Sequence, residues 1–261
     1  MNSLLFPKDL HQDALELLET LRSAKAIFAV TGAGISTPSG IPDFRGPQGI
    51  LSSGSRSVFD KELFFRDPKP FYLFAKTFLP LILASRPNPA HRLLVELEEK
   101  ERLIATATQN IDSLHQMAGS RALLPLHGSL ESYSCTLCRR PFPLTEILPT
   151  VLEGLVPYCP CGGLIRPEAV LFGESVKSDI LQKAKQVASQ ADLCLVMGSS
   201  LIVSPASTLP GLTLNAGGRM VIINRTPTPL DDYAVKRYSW DLAEFSEEVL
   251  CLVHQKRFLF F

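Results

Sequence analysis

AIFAVTGAGISTPSGIPDFRG, residues 26–46, decides the fold. Its first five residues form an apolar run that reads as a buried strand. A strand that ends in Gly-x-Gly opens many nucleotide-binding loops. There Gly32 and Gly34 let the backbone approach a pyrophosphate, and the amides near a helix start hold its charge. A tight structural turn needs the same glycines, so the pair alone leaves both readings open. The third glycine of G-x-G-x-x-G is missing, because position 37 is Thr and the next glycine is Gly40. Asp43, Phe44 and Arg45 come next, flanked by proline and glycine, which places them on a loop. There Arg45 could hold phosphate and Phe44 could cover a ring, although the three residues alone read equally as a solvated loop. A NAD dehydrogenase would carry an acid about twenty positions later, at the end of a second strand. Here that region is GSRSVFDKE, with no clean strand before the acid. The loop therefore reads as a dinucleotide site of another type.

Outward from this loop, apolar runs alternate with helical patterns. Residues 10–24 and 89–100 carry apolar residues at three-and-four spacing, the second opened by proline at its first turn. Strands are expected at 103–109, 123–128, 193–197 and 220–224, with a closing helix in WDLAEFSEEVLCLV. Strands separated by helices imply an α/β fold, a doubly wound parallel sheet. Two stretches break the rhythm: residues 51–85, rich in Phe and read as short helices, and residues 135–165, which hold four of the six cysteines. Both read as parts of a smaller inserted module. The Rossmann-like domain is then discontinuous, over 1–48, 86–130 and 168–261, with 49–85 the helical part and 131–167 the cysteine-bearing part of the small domain.

In an open parallel sheet, ligands bind beyond the carboxyl ends of the strands. Those ends carry GAGIS and GIPDFR, then Gln109-Asn110-Ile111-Asp112, His127-Gly128, Gly198-Ser199-Ser200, and Asn224-Arg225. Histidine is a natural general base near neutral pH, although a single strand-end histidine is as readily satisfied by backbone. His91 and His115 read as structural or solvated. Cys135-x-x-Cys138 and Cys159-x-Cys161 lie about twenty residues apart, the pattern of a tetrahedral structural zinc with no open position. The second pair is one residue tighter than usual. Cys194 and Cys251 lie in apolar patterns and read as core.

The 261 residues suit one large domain with a small insert. Lys plus Arg equals Asp plus Glu at 26 each, so nothing attracts the chain in bulk to nucleic acid or an anionic membrane. The run FLPLIL is short and interrupted by Pro80, and cannot span a bilayer. MNSLLFPKDL has no basic region and no long apolar core. A cytoplasmic location is the expectation, with free or metal-bound cysteines. The end KRFLFF is apolar for a tail; docking on the core and a sticky free end are both compatible with it.

GAGIS, GIPDFRG, TQNID, LHG, the paired cysteines, FGE at 172–174 and GSSLIVSPAS occur here in an order that resembles the sirtuins, the NAD-dependent protein deacylases. The resemblance runs from Leu17 to Val249, and the stretches look like those of bacterial and archaeal single-domain members. It implies a Rossmann-like domain plus a small domain of helices and a zinc ribbon. NAD and an acyl-lysine peptide would meet in the cleft between them, NAD being consumed. The amide oxygen of the acyl-lysine would attack C1′ of the nicotinamide ribose, nicotinamide would leave, and the acyl group would end on ADP-ribose.

By the same resemblance His127 is the general base, Asn110 orients water and ribose hydroxyls, and Asp112, with Gln109 and Ile111, forms the pocket for nicotinamide and its ribose. Phe44 covers the reactive carbon. Ala33, Thr37, Asp43 and Arg45 contact the dinucleotide with Gly32 and Gly34. Gly198, Ser199, Ser200, Asn224, Arg225 and Thr226 serve phosphate and adenosine ribose, and Leu242 lies near adenine. The peptide is expected along Val170, Leu171, Phe172, Gly173 and Glu174 as an added strand. Members that prefer succinyl or malonyl groups carry Tyr-x-x-Arg in the helical segment. Here Tyr72 is present and Ala75 replaces Arg, which favours acetyl or longer fatty acyl groups. The expected partners are acyl-lysine proteins, with no nucleic acid, no membrane and a monomeric chain. Protein ADP-ribosylation at the same NAD site is the alternative activity. A non-catalytic NAD-sensing or zinc-ribbon module and a dehydrogenase are more distant ones.

Overall fold

In the computed structural model of the chain, residues 7–44, 46, 49–50 and 58–255 are described. Arg45 and the end KRFLFF, both singled out above, lie outside the described residues. In chain order the elements are α1 (Lys8–Ser23), β1 (Ile27–Thr31), α2 (Lys61–Arg66), α3 (Lys69–Ala84), α4 (Pro89–Glu99), β2 (Leu103–Thr108), α5 (Leu114–Ala118), β3 (Leu123–Pro125) and β4 (Gly128–Cys135). They continue with β5 (Pro141–Pro143), α6 (Leu144–Leu152), β6 (Ile165–Ala169), α7 (Ser178–Gln190), β7 (Leu193–Met197), α8 (Leu209–Asn215), β8 (Arg219–Ile223), β9 (Lys236–Tyr238) and α9 (Leu242–His254).

Six strands form one sheet in the order β3-β2-β1-β7-β8-β9, and every neighbouring pair is parallel. The doubly wound expectation is met, and the alternation of side chains explains it. Ile27, Ala29, Leu193, Leu195, Val221 and Ile223 join one core with α1, α4 and α9. Phe28, Val30, Cys194, Val196, Met220 and Ile222 join a second core on the opposite face, with residues of α7 and α8. Successive side chains of a strand point to opposite faces, so a strand covered on both sides reads as an unbroken apolar run. The order reverses between β1 and β7, so the crevice beyond their carboxyl ends is where a ligand is expected.

A third core binds α2, α3 and α6 to an antiparallel sheet, β5-β4-β6. Its buried residues Phe64, Phe71, Tyr72, Leu79, Phe142 and Ile165 come from both stretches that break the sequence rhythm, and Tyr133 joins them from just before the second. Residues 69–84, read as short helices, are instead one sixteen-residue helix that runs through Pro80. Proline forfeits one intrahelical hydrogen bond there. Phe71, Tyr72, Ala75, Leu79 and Ile82 still recur on one buried face, and the Tyr72 hydroxyl donates to the Ile165 carbonyl of β6. The strand expected over 123–128 stops at Pro125, and Gly128 already belongs to the small sheet, paired with Ala169. Among the described residues no helix is long and apolar enough to cross a membrane.

Candidate active site

The carboxyl ends of the parallel strands open onto a cleft of about 870 Å³, walled on its other side by the small module. Gly32, Ala33, Gly34, Asp43, Phe44, Gln109, Asn110, Ile111, His127, Gly198, Ser199, Ser200, Asn224 and Thr226 all line it, as do residues 170–174. Sequence segments far apart are thus brought to one place. Thr37, Asp112, Arg225 and Leu242 do not line it. The Thr37 hydroxyl donates to Gly34 O at 3.0 Å, and the exposed Arg225 Nη2 donates to Asp241 Oδ2 at 2.7 Å. Leu242 begins α9 with its side chain in the core.

The glycines of the first loop have a reason beyond ligand approach. A Cβ on Gly32 would stand 2.8 Å from Gly198 O, and one on Gly34 would stand 2.8 Å from both Gly198 Cα and O. The Gly34 N–H donates to Gly198 O at 2.8 Å. Two strand-end loops interlock backbone to backbone, and only glycine permits it. The Gly32 N–H is likewise given to Met197 O at 3.2 Å, so of these three residues Ala33 offers its N–H, beside the Ser199 hydroxyl, which accepts from Gln109 Nε2 at 2.7 Å. Among the described residues no Lys or Arg lines the cleft. A pyrophosphate would meet the Ala33 N–H and serine hydroxyls in this cradle, because the neighbouring amides of Gly32, Gly34, Ile35 and Ser36 are bonded to backbone carbonyls.

His127 sits where the large sheet hands over to the small one. The next residue, Gly128, has φ of +76°, and a Cβ there would lie 1.8 Å from Glu168 O. The backbone is therefore fixed immediately after the histidine. His127 Nδ1 lies 2.9 Å from Gln109 O. A carbonyl only accepts, so Nδ1 carries the proton and the neutral ring presents its lone pair at Nε2.

Asp112 lies behind the cleft wall, 7% exposed. Its Oδ2 accepts from the Ser36 hydroxyl at 2.6 Å and its Oδ1 from Leu114 N–H at 3.0 Å, while Asn110 Nδ2 donates to the Ser36 oxygen at 3.0 Å. Burial pushes its carboxyl above the usual range, against the opposing pull of those hydrogen bonds. Asp112 also lines a smaller cavity of about 180 Å³ that shares Leu79, Ile111 and Leu130 with the main cleft. Sequence reasoning missed Ser36, which joins loop 32–40 to Asp112; only its place in GAGIS could have marked it.

The far end of the cleft is apolar. Phe59, Phe71, Phe74, Ala75, Leu79 and Leu130 line it, and Phe59 packs edge-on against Phe44, Phe71 and Phe74. Tyr72 is fully buried and does not face the cleft. In residues 170–174 four of five N–H donors are committed: Val170 to His127 O, Leu171 to Glu174 Oε2, Phe172 to Phe59 O and Glu174 to Leu171 O. The Glu174 carboxylate is held by Arg166 at 2.6 and 2.8 Å. It braces the segment.

The four cysteines converge. Cys135 Sγ and Cys161 Sγ are 3.5 Å apart, Cys138 Sγ and Cys159 Sγ 3.7 Å, and all four lie within 4.8 Å of one another. A Zn–S bond of about 2.3 Å sets a tetrahedral edge of about 3.8 Å, so the set fits one zinc with no fifth donor. The shorter Cys159-x-Cys161 spacing closes because the Cys159 N–H bonds to Gly163 O and the Gly162 N–H to Cys159 O. Cys194 is buried in the core, as expected, whereas Cys251 is only partly covered.

His91 and His115 prove structural and wholly buried. Burial holds both imidazoles neutral, His91 down to about 3, with His115 beside it adding to the effect, and His115 down to about 4. An unfolded histidine titrates near about 6.5. Between the two values the unfolded chain binds protons that the folded chain refuses, so stability falls as pH falls. The buried Asp112, raised instead of lowered, works in the opposite direction, but it is one group against two. Melting curves should lose stability below pH of about 6, by roughly 1–2 kcal/mol per pH unit. A flat profile down to pH of about 4.5 would contradict this.

The sequence profile of the Sir2 family matches residues 32–205. The chain is 45% identical over 236 residues to the NAD-dependent protein deacetylase of Thermotoga maritima, covering 90% of this chain and 96% of that protein. It is 40% identical over 229 residues to the NAD-dependent protein deacylase of Pyrococcus abyssi, covering 85% and 92%. A solved structure of a Sir2 variant with a deacetylated p53 peptide and 3′-O-acetyl-ADP-ribose superposes with a TM-score of 0.88 at 44% identity, over 91% of this chain and 97% of that one. Sir2Tm bound to a propionylated peptide superposes at 0.84 and 43%, over 91% and 97%. The likeness therefore takes in both the large sheet and the small module.

Proposed function

Because this chain belongs to the Sir2 family, we propose that its cleft performs NAD-dependent removal of acyl groups from protein lysines, giving nicotinamide, O-acyl-ADP-ribose and free lysine. The observation that carries the reading is the convergence of His127, Asn110 and the Gly32–Gly34 cradle on one cleft whose far end is apolar. NAD supplies the electrophilic ribose carbon when bound. In this reading the Ala33 N–H and the hydroxyls of Ser199 and Ser200 hold its phosphates, the Gly32 and Gly34 N–H groups being spent on Met197 O and Gly198 O. Asn224, whose Nδ2 is anchored to Thr226 O at 2.7 Å, shapes the adenosine side. Asn110 and Ile111 form the nicotinamide end, with Asp112 placing a carboxylate behind it to favour positive charge on the ribose. Phe44, backed by Phe59, covers the reacting carbon against water. His127 takes a ribose hydroxyl proton at Nε2, its Nδ1–H anchored on Gln109 O. Arg45 remains a proposed dinucleotide contact on sequence grounds alone.

Residues 1–48, 86–130 and 168–261 form the NAD-binding domain in this account, and 49–85 with 131–167 the small one. The peptide lies along 170–174. With most N–H donors there committed, it pairs through the Gly173 N–H and backbone carbonyls, so sequence preference among proteins is loose. The zero net charge supports a protein drawn in bulk to neither nucleic acid nor membrane; a cytoplasmic, monomeric chain completes the proposal.

The acyl group points toward Phe71, Phe74, Ala75 and Leu79. A succinyl carboxylate there would lose water and gain no cation among the described residues, since Ala75 stands at the arginine position and Tyr72 is committed to Ile165 O. An unpaired buried charge costs several kcal/mol. Acetyl or butyryl groups should leave one peptide at least about a hundredfold faster than succinyl. Faster succinyl removal would refute the assignment of this wall. Nicotinamide release that requires an acyl-lysine peptide tests the reaction itself. Release with ADP-ribose appearing on protein would favour the transferase alternative.

A further inference from the structure

We propose that a buried polar bracket of Asn88, His91 and His115 sets the shape of the cofactor loop, and that these three are positioning residues for NAD. The inference rests on the NAD reading of the cleft. Asn88 caps the start of α4: its Oδ1 accepts from Ala90 N–H at 2.9 Å. Its Nδ2 donates to Ile35 O and to Ser39 Oγ, each at 2.8 Å. The Asn88 N–H donates to His91 Nδ1 at 3.4 Å. From the other side, His115 Nε2 lies 2.9 Å from Thr31 Oγ1. Loop 32–40 is thus gripped from behind at three points. Thr31 directly precedes Gly32, Ile35 lies between Gly34 and Ser36, and Ser39 closes the loop.

The ring protons can be assigned from these partners. His91 Nδ1 accepts, so the neutral ring carries its proton on Nε2. His91 Nε2 and His115 Nδ1 are both buried with no partner among the described residues, and the two rings face edge-on with centroids 4.9 Å apart. Two orphans of the same kind would each cost stability. They are complementary only if His115 Nε2–H donates to Thr31, which leaves Nδ1 an acceptor where His91 Nε2–H is a donor. A space-filling role needs no such rings; Leu93, Leu94 and Leu97 of the same helix supply it with apolar groups. On the front of the loop, the Gly34–Gly198 contact leaves no slack. A shift of Ile35 or Thr31 therefore moves the Ala33 N–H at the cradle, while the separate bond from Ser36 Oγ to the buried Asp112 is kept.

The test is calorimetric titration of the full chain with NAD alone, paired with melting curves and steady-state rates. Asn88→Ser keeps a good helix cap but cannot reach Ile35 and Ser39. It should weaken NAD binding about tenfold, the loss of two hydrogen bonds. The melting temperature should stay within about 5 °C, and kcat at saturating NAD within about twofold. His115→Phe, which fills the ring volume without the Thr31 bond, should weaken NAD similarly. His115→Gln, whose amide reaches the Nε2 position, should restore it. Unchanged NAD affinity in Asn88→Ser and His115→Phe, with a lowered melting temperature, would overturn the proposal, as would failure of the Gln variant to rescue. If His115→Phe does not fold, Asn88→Ser decides. A wild-type chain that does not bind NAD would instead overturn the function proposed above.

Discussion

Stripping zinc from the chain should unfold the small module and leave the six-stranded sheet folded. Four thiolate ligands contribute about 10 kcal/mol or more of apparent folding free energy in small zinc units. That is as large as the whole stability of a typical domain. Cys135 ends β4 and Cys159 is buried in the same core as Tyr72, Tyr133 and Ile165. Loosening the ribbon therefore releases β6, and with it the Ile165 carbonyl that receives the Tyr72 hydroxyl of α3. Helix α3 carries Phe71, Phe74, Ala75 and Leu79 into the cleft, so activity should vanish although no catalytic group touches the metal. The cores on the two faces of the large sheet share no buried residue with this one and should persist. Hydrogen exchange after chelation should show lost protection in 61–84 and 128–169, with β1, β7 and β8 still protected. Metal analysis should give one zinc per chain. A stripped protein that keeps the small module folded, or a metal found beside the reacting ribose, would refute the structural assignment.

Replacing His127 by alanine should lower deacylation by about three orders of magnitude while NAD affinity changes little. Loss of a positioned general base costs a factor of about 10²–10⁴. The cradle that holds the dinucleotide is built from other residues, the interlocked loops at 32–34 and 198–200. Gly128 fixes the backbone after the histidine, so the truncation removes the ring and its bond to Gln109 O while the chain path is kept. Steady-state rates and NAD titration of the variant check both halves. Near wild-type turnover would remove His127 from the mechanism. A parallel loss of NAD affinity would make it a binding residue instead of a base.

Much of this site is legible in the sequence because parallel strands advertise themselves. AIFAV, LCLVM and MVII are unbroken apolar runs since both faces are covered, and the residues just after each run must lie at the cleft. The cysteine spacing likewise points to one ligand set. Other features depend on folding in three dimensions. Asp112 adjoins Gln109–Ile111 in sequence, yet its carboxylate turns behind the wall to Ser36, 76 residues away. Phe59, Phe71 and Leu79 come together at one end of the cleft only when α3 packs on the small antiparallel sheet. The bracket behind the loop links Asn88 to Ile35 across 53 residues and His115 to Thr31 across 84, which no local pattern encodes. Pro80 reads as a break, but one lost hydrogen bond is small beside the buried face that carries α3 through it. β9 is three residues, Lys-Arg-Tyr, with no alternation to read.

The central claim is that acyl removal and NAD cleavage are one reaction in one cleft. It is tested by incubating the protein with an acetyl-lysine peptide, with and without NAD, and weighing every product by mass spectrometry. Acetyl should be lost only with NAD, with nicotinamide and O-acetyl-ADP-ribose appearing in equal amounts. Acetyl loss without NAD, or NAD consumed with the acetyl group left on the peptide, would contradict it.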